Sequence, residues 1–469
     1  MEKMIFLLLL LFATTQASAK IKLPNILDDN MVLQQQTTVK LWGEAKPNKK
    51  VTITPSWDKK KYSTTSDAHG KWLLHLDTPK AGGPYKIIIS DGEAVELNNV
   101  LLGEVWLCSG QSNMTMPLNG YTYQPTQNSL NTIALANPKT PIRMCTIERA
   151  SSKVPLEQCA TNWCENTPGV VANTSATAYF FAQMIEKSLG VPVGIIVSSW
   201  GGSAIESWMS PQSLTAFPEF DLSFLSSSAS VDDAVNKKPS MLYNAMIYPL
   251  RNYTIRGMLW YQGEANIAKP AQYELLQPAF VKATRELWEQ GDFPFYYVQI
   301  APYGSSERIN TAMLREAQLR NLKTIPNSGM AVTMDIGEEL CIHPSRKQEV
   351  GERLAYLALS KTYKLDGYKC RTPIYKSMKI EGGKAYLSFN DCDMNVAPLN
   401  VPLSDFEIAG EDKVFYPANA VIQKGTGLTV SAPEVPNPIA VRYGFKNWVK
   451  GSLFDTSGLP VSSFRTDNW

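Results

Sequence analysis

Four short stretches of the chain carry residue types that together can transfer an acyl group. Ser109-Gly110-Gln111-Ser112-Asn113-Met114 offers a hydroxyl, and Ser198-Ser199-Trp200-Gly201-Gly202-Ser203 a glycine pair. Tyr261-Gln262-Gly263-Glu264-Ala265-Asn266 joins an amide to a carboxylate. Asp335-Ile336-Gly337, with His343-Pro344 a short loop later, joins a carboxylate to an imidazole. A serine hydroxyl attacks a carbonyl only when a base takes its proton, and histidine titrates near neutral pH. The imidazole needs a partner to fix its tautomer, and the developing oxyanion needs N–H donors. Glycines let the backbone approach closely, and Gln262 offers a side-chain donor. The chain has only three histidines, His69, His75 and His343. The first two lie in a β-textured N-terminal region, so a base drawn from the same domain as Ser112 is His343. Each residue has a plainer reading alone: Ser112 as a helix N-cap, Gly201-Gly202 as a turn, Glu264 as a surface carboxylate, His343 as a loop residue. Their arrival at the ends of four strands outweighs those readings.

The strands are apolar runs: Glu104–Cys108, Val193–Val197, Gly257–Trp260, Pro294–Gln299 and Gly329–Thr333. They alternate with helical periods over Ala176–Leu189, Pro270–Gln290, Asn310–Lys323 and Ser345–Tyr363. Such alternation predicts an α/β domain over 100–367, a parallel sheet with helices on both faces. Its ligands bind beyond the carboxyl ends of the strands. Residues 20–99 read as a β-sandwich: period-two strands such as Thr38–Gly43, Lys50–Thr54 and Lys86–Ser90, with Asp67-Ala68-His69-Gly70 as a hairpin turn. Residues 368–469 return to β texture, with strands over Gly425–Val430 and Ile439–Tyr443. This region forms its own sandwich or completes the first.

Composition narrows the function. Lys plus Arg is 45 and Asp plus Glu 43, a net of +2, which argues against a nucleic-acid or anionic-membrane binder. Hydrophobic residues at 44% supply several cores. Lys3, the apolar run Met4–Ala13 and Ala17-Ser18-Ala19 read as a signal peptide over 1–19, which predicts a secreted or periplasmic protein without a membrane span. Cys108, Cys145, Cys159, Cys164, Cys341, Cys370 and Cys392 are odd in number; among Cys145, Cys159 and Cys164 one disulfide is feasible. No Cys-x-x-Cys, histidine pair or aspartate-rich loop points to a metal, and no cofactor is expected.

Gly110-Gln111-Ser112-Asn113-Met114, Trp260–Asn266, Ile342-His343-Pro344 and Lys347–Ala355 resemble the sialate O-acetylesterase family. That family is similar to family-six carbohydrate esterases and belongs to the wider SGNH hydrolases. The resemblance implies a flavodoxin-like, three-layer α/β hydrolase domain flanked by β-sandwich segments. It implies a serine esterase removing O-acetyl groups from sugars, sialic acids first. Ser112 becomes the nucleophile and His343 the base. The oxyanion donors become the Ser112 and Gly202 N–H groups and Gln262, where the superfamily has an asparagine. The superfamily's aspartate before the histidine is missing: Leu340 and Cys341 stand there. The acid is then Glu264, as in the family-six pattern, with Asp335 as the alternative. Cys341 is a competing nucleophile by sequence proximity alone. Trp200, Trp208, Trp260, Tyr261 and Asn266 flank the motif loops as sugar contacts, one or two of the aromatics stacking on a ring. Arg251 and Arg256 are cations for a sialate carboxylate, though ion pairing within the fold is their more ordinary role. The alternatives are an acetyl-xylan esterase on the same scaffold and a non-catalytic carbohydrate-binding protein.

Overall fold

The computed structural model describes residues 21–231, 233–305, 309–367, 369–392, 395–399, 401–423 and 427–469. The signal peptide expected over 1–19 lies outside them. At the centre is a sheet in the order Ser328–Ala331, Phe295–Val298, Gly257–Tyr261, Ala94–Gly110, Val193–Ser199, Ile142–Thr146, Trp163–Glu165. All neighbours run parallel except the last pair. Both faces are covered, so the strands are apolar throughout; all seven residues of Val193–Ser199 are buried. The faces still divide with period two. Trp106, Cys108, Ile195, Val197, Leu259 and Tyr296 pack in the core that holds the helices Ala176–Leu189 and Lys347–Leu357. Val105, Leu107, Ile196, Met258, Trp260 and Phe295 pack on the opposite face, with Pro270–Trp288 and Ala312–Thr324. The result is a three-layer α/β domain.

The strand Ala94–Gly110 is the spine of the molecule. Its first half pairs with Gly82–Ser90 and Val32–Gln34 in the N-terminal β region, and its second half with Val193–Ser199 and Gly257–Tyr261. The passage from one region to the other, near residue 100, therefore falls inside one continuous strand. The Asp67–Gly70 turn differs from a hairpin. Tyr62–Thr65 pairs with Lys50–Pro55, while Lys71–Asp77 pairs with Thr38–Glu44, so the turn carries the chain from one sheet to the other. Asp67 Oδ1 tightens it by accepting from the His69 and Lys71 N–H groups.

The C-terminal region does not complete the first sandwich. It has its own core, with Leu387, Ile408, Leu428, Val430, Val441, Tyr443 and Phe464. Two four-stranded antiparallel sheets supply it: Ile374–Glu381, Lys384–Asn390, Gly427–Ser431 and Asn419–Gln423, then Phe415–Pro417, Phe406–Ala409, Ala440–Tyr443 and Phe464–Arg465. Residues 425 and 426 of the expected strand lie outside the described residues. Among the described residues no helix is long and apolar enough to cross a membrane. No disulfide links the cysteines among the described residues, and Cys145 lies beside Thr161 Oγ1 at 3.1 Å.

Candidate active site

The chain leaves Ala94–Gly110 for one side of the sheet, returns through Val193–Ser199, and crosses to Gly257–Tyr261 on the other side. That reversal makes the carboxyl end of Ala94–Gly110 the topological switch point, the place where ligands bind in open α/β sheets. Gly110 makes the sharp exit. Its φ is +141°, and a Cβ there would stand 2.1 Å from Tyr261 O. The short helix Ser112–Thr115 follows at once. The Ser112 N–H lies in its first turn and has no intrahelical acceptor.

Ser112 Oγ lies 2.7 Å from His343 Nε2. His343 reaches it from the loop before the helix Lys347–Leu357. The second imidazole nitrogen, Nδ1, lies 2.7 Å from Gln124 Oε1. An amide oxygen only accepts, so Nδ1 carries the hydrogen and Nε2 presents its lone pair to the serine. Tyr121 braces both residues: its ring meets the imidazole edge-on at 5.3 Å, and its hydroxyl donates to Ser112 O at 3.0 Å. Burial, with the Lys347 ammonium second, lowers the His343 pKa to about 4. The imidazole is therefore neutral, and able to accept a proton, across the neutral range.

The glycine pair sits beside the serine. A Cβ on Gly201 would stand 3.4 Å from Ser112 Cβ. Asn236 Nδ2 donates to Gly201 O at 2.8 Å. Tying that carbonyl on one side turns the N–H of the same peptide, that of Gly202, to the other side. Gly202 holds φ +70°, which favours glycine. The Ser112 and Gly202 N–H groups are thus available to an oxyanion.

Neither expected acid touches the imidazole. Glu264 Oε1 accepts from Asn113 Nδ2 at 2.6 Å, and Asn113 Oδ1 accepts from Lys347 Nζ at 2.6 Å. Asn113 thereby bridges a buried carboxylate and a buried ammonium, and its Nδ2 also donates to Ile342 O at 3.0 Å. Burial is the largest influence on both charges, raising the Glu264 pKa and lowering that of Lys347 to about 7. Asp335 is taken by Arg353, which holds its two oxygens at 2.8 and 2.7 Å.

Several expected contacts also resolve differently. Gln262 is fully buried and spends its amide hydrogens on Ser203 O at 3.1 Å and Asn266 Oδ1 at 2.7 Å. Asn266 is locked in turn by the Ile205 N–H and by Glu206. Both residues shape the loop after Val193–Ser199, and neither faces an oxyanion or a sugar. Trp208 and Trp260 are core residues in edge-to-face contact, with Trp208 Nε1 donating to Ser203 Oγ. Tyr261 is buried with the Lys347 ammonium over its ring. Of the five, Trp200 alone keeps an exposed face. Arg256 binds Glu104 and Arg251 binds Glu157. Glu104 lies at the amino-terminal end of its parallel stretch, so that pair sits at the edge of the sheet away from Ser112. Cys341 Sγ meets the His343 carbonyl at 3.2 Å, a backbone contact.

Sequence reasoning did not single out Gln124, Tyr121 or Lys347. Gln124 and Tyr121 lie in a polar loop without a motif, and only the fold carries it back over the serine. Lys347 lies within the Lys347–Ala355 motif, which by itself assigns it no role.

A three-layer α/β fold with a serine and a histidine paired at its switch point is the arrangement of a carboxylic ester hydrolase. The family model for carbohydrate esterases, sialic acid-specific acetylesterase, matches residues 102–360. The chain is similar to the sialate O-acetylesterases of Homo sapiens and Pongo abelii, each 30% identical over 81% of this chain and 78% of the relative. It is also similar to the crystal structure of a carbohydrate acetylesterase from Xanthomonas citri, with a TM-score of 0.86 and 34% identity over 96% of this chain and all of that one. The chain belongs to the sialic acid-specific acetylesterase family of carbohydrate esterases, and it is an esterase that acts on acetylated carbohydrates.

Proposed function

We propose that this protein is an exported serine esterase that removes O-acetyl groups from sialic acids. The observation that carries the chemistry is the 2.7 Å contact between Ser112 Oγ and a neutral His343 Nε2. Ser112 attacks the acetyl carbonyl and its proton passes to His343. The Ser112 and Gly202 N–H groups receive the oxyanion. His343 then protonates the leaving sugar hydroxyl, and water, deprotonated by the same imidazole, releases acetate from the acyl-enzyme. Export rests on the leader Met1–Ala19.

The sialate reading is supported by the curated relatives and by one cation. Arg149 is exposed and makes no ion pair among the described residues. It follows Ile142–Thr146, two strands over from Ala94–Gly110, the strand that leads to Ser112. That is a separation of about 10 Å at ordinary strand spacing. Its charge reaches the Tyr121 hydroxyl, lowering a pKa that burial raises. A sialate carries its carboxylate at the opposite end from its terminal O-acetyl group, so one molecule spans the two positions. We expect Arg149→Ala to raise KM for 9-O-acetylsialic acid about tenfold, the worth of one charge-assisted hydrogen bond. Turnover of a neutral acetyl ester should stay at the wild-type rate.

The deciding experiment compares kcat/KM on 9-O-acetylsialic acid with that on acetylated xylan. Preference for the sialate supports this reading. Preference for xylan makes the chain a plant-polysaccharide esterase on the same scaffold. Absence of turnover on any acetyl ester would leave a carbohydrate-binding protein.

A further inference from the structure

We infer that Gln124, a neutral amide on a surface-loop segment, is the positioning residue that does for His343 what a carboxylate does in a serine–histidine–acid triad. The inference rests on the serine-esterase reading above. Its geometry is direct: Gln124 Oε1 stands at 2.7 Å from His343 Nδ1, on the side of the ring away from Ser112. The carboxylates that could compete are engaged elsewhere. Glu264 holds Asn113, Asp335 holds Arg353, and Glu338 accepts the Ser345 N–H at 2.7 Å.

The loop that carries Gln124 is built to hold it. Tyr121 and Gln124 exchange backbone hydrogen bonds, each at 2.9 Å. Thr126 Oγ1 donates to Pro117 O at 3.0 Å and is itself buried. The Gln127 N–H donates to Ser345 O, two residues beyond His343. The loop is thus tied to the histidine's own segment, and Tyr121 ties it to the serine.

An amide and a carboxylate differ in one respect. Both accept the Nδ1 hydrogen and select the tautomer, but only the carboxylate stabilises the imidazolium formed when Ser112 gives up its proton. The groups facing His343 do not make up that charge. From the helix Lys347–Leu357 comes the Lys347 ammonium. From the nucleophile helix come the Ser112 hydroxyl and the neutral bridge Asn113, with Glu264 behind it. From the loop come the Tyr121 ring and Gln124, and from the histidine's own segment the Cys341 thiol on its carbonyl. The base is therefore oriented and weak. An imidazole must be neutral to act as base, so its activity is present above its pKa and lost as pH falls through it. With that pKa near 4, the enzyme should keep its rate to a lower pH than an unperturbed histidine at 6.5 allows.

Two variants test the role, assayed on p-nitrophenyl acetate beside wild type and Ser112→Ala, with folding checked by circular dichroism. Gln124→Ala should lower kcat about 10- to 100-fold with KM within about threefold. That is less than the roughly 10⁴-fold loss known for a triad aspartate, because no charge is removed. Gln124→Glu should keep most of the rate and move the acid limb of kcat/KM upward by at least about one pH unit, as a carboxylate 4 Å or closer does. The inference is overturned if Gln124→Ala keeps kcat within threefold of wild type, or if the acid limb of Gln124→Glu does not move. Turnover retained by Ser112→Ala would instead overturn the serine-esterase reading itself. A normal Gln124→Ala beside an inert Ser112→Ala condemns the positioning role alone.

Discussion

Ser112→Ala should lose about 10⁴-fold or more in kcat on any acetyl ester, with KM little changed and the fold intact. The size follows from the geometry. Ser112 Oγ is the hydroxyl that His343 Nε2 contacts, and the variant leaves no second nucleophile in its place. Cys341 is near the histidine in sequence, yet its sulfur lies against the His343 carbonyl. A residual rate above solution hydrolysis should persist, because the Ser112 and Gly202 N–H groups survive the substitution. Steady-state kinetics on purified protein, with iodoacetamide as a control for the thiol, decide the matter. Retention of more than a few per cent of kcat would remove Ser112 from the mechanism.

The largest stability effect is expected far from that serine. Arg315, in the helix Ala312–Thr324, is completely buried between the α/β domain and the C-terminal β region. Among the described residues it has no carboxylate partner. Its guanidinium donates to Ser463 Oγ at 3.1 Å, Thr311 Oγ1 at 3.2 Å, Gly444 O at 3.1 Å and Lys446 O at 2.5 Å. Burial pulls its pKa down from the ordinary arginine value. Three of the four acceptors belong to the C-terminal region, and Glu316 extends the seam through a two-pronged pair with Arg465. Arg315→Met keeps most of the side-chain volume and leaves the Gly444 carbonyl, the Lys446 carbonyl and two hydroxyls without their donor. It should cost about 3 kcal/mol or more, at the charged end of the range for hydrogen bonds. The exposed neighbour Arg320, which pairs with Glu274 and Glu316, should cost less than about 0.5 kcal/mol when changed to alanine. Urea unfolding of both variants measures the difference. Equal midpoints would show that the C-terminal region does not depend on this joint.

The periodic parts of the fold were legible. Ala176–Leu189 matches its expected bounds because Ser175 caps one end and Gly190, in the left-handed region at φ +64°, closes the other. Pro270 opens its helix as Pro at the first turn does, and the strand cores followed from unbroken apolar runs. Ile142–Thr146 and Trp163–Glu165 were not read. They are short, and the second pairs antiparallel at the sheet edge, where the pattern is weakest. The Asp67–Gly70 turn was recognisable by its chemistry, but which strands it joins is a matter of pairing, which local sequence does not specify.

The same division runs through the site. The motif around Ser112 and the scarcity of histidine bring two residues together on paper, because a strand end, a tight glycine exit and a lone base are local properties. Which group meets His343 Nδ1 depends on three loops folding over one another, and each candidate had other partners on offer. Glu264 is separated from the imidazole by Asn113, Asp335 is closed off by Arg353, and Gln124 arrives from a loop over 200 residues away in sequence. Trp208, Tyr261 and Asn266 carry the residue types that bind sugars, yet the sheet buries them one layer down, where Gln262 and Glu206 use Asn266 instead. The sequence alone picked out Ser112, His343 and the layers that bring them together. Only the tertiary structure decided which neighbours are close enough to hydrogen-bond, because burial and hydrogen bonding are set by contacts between distant segments.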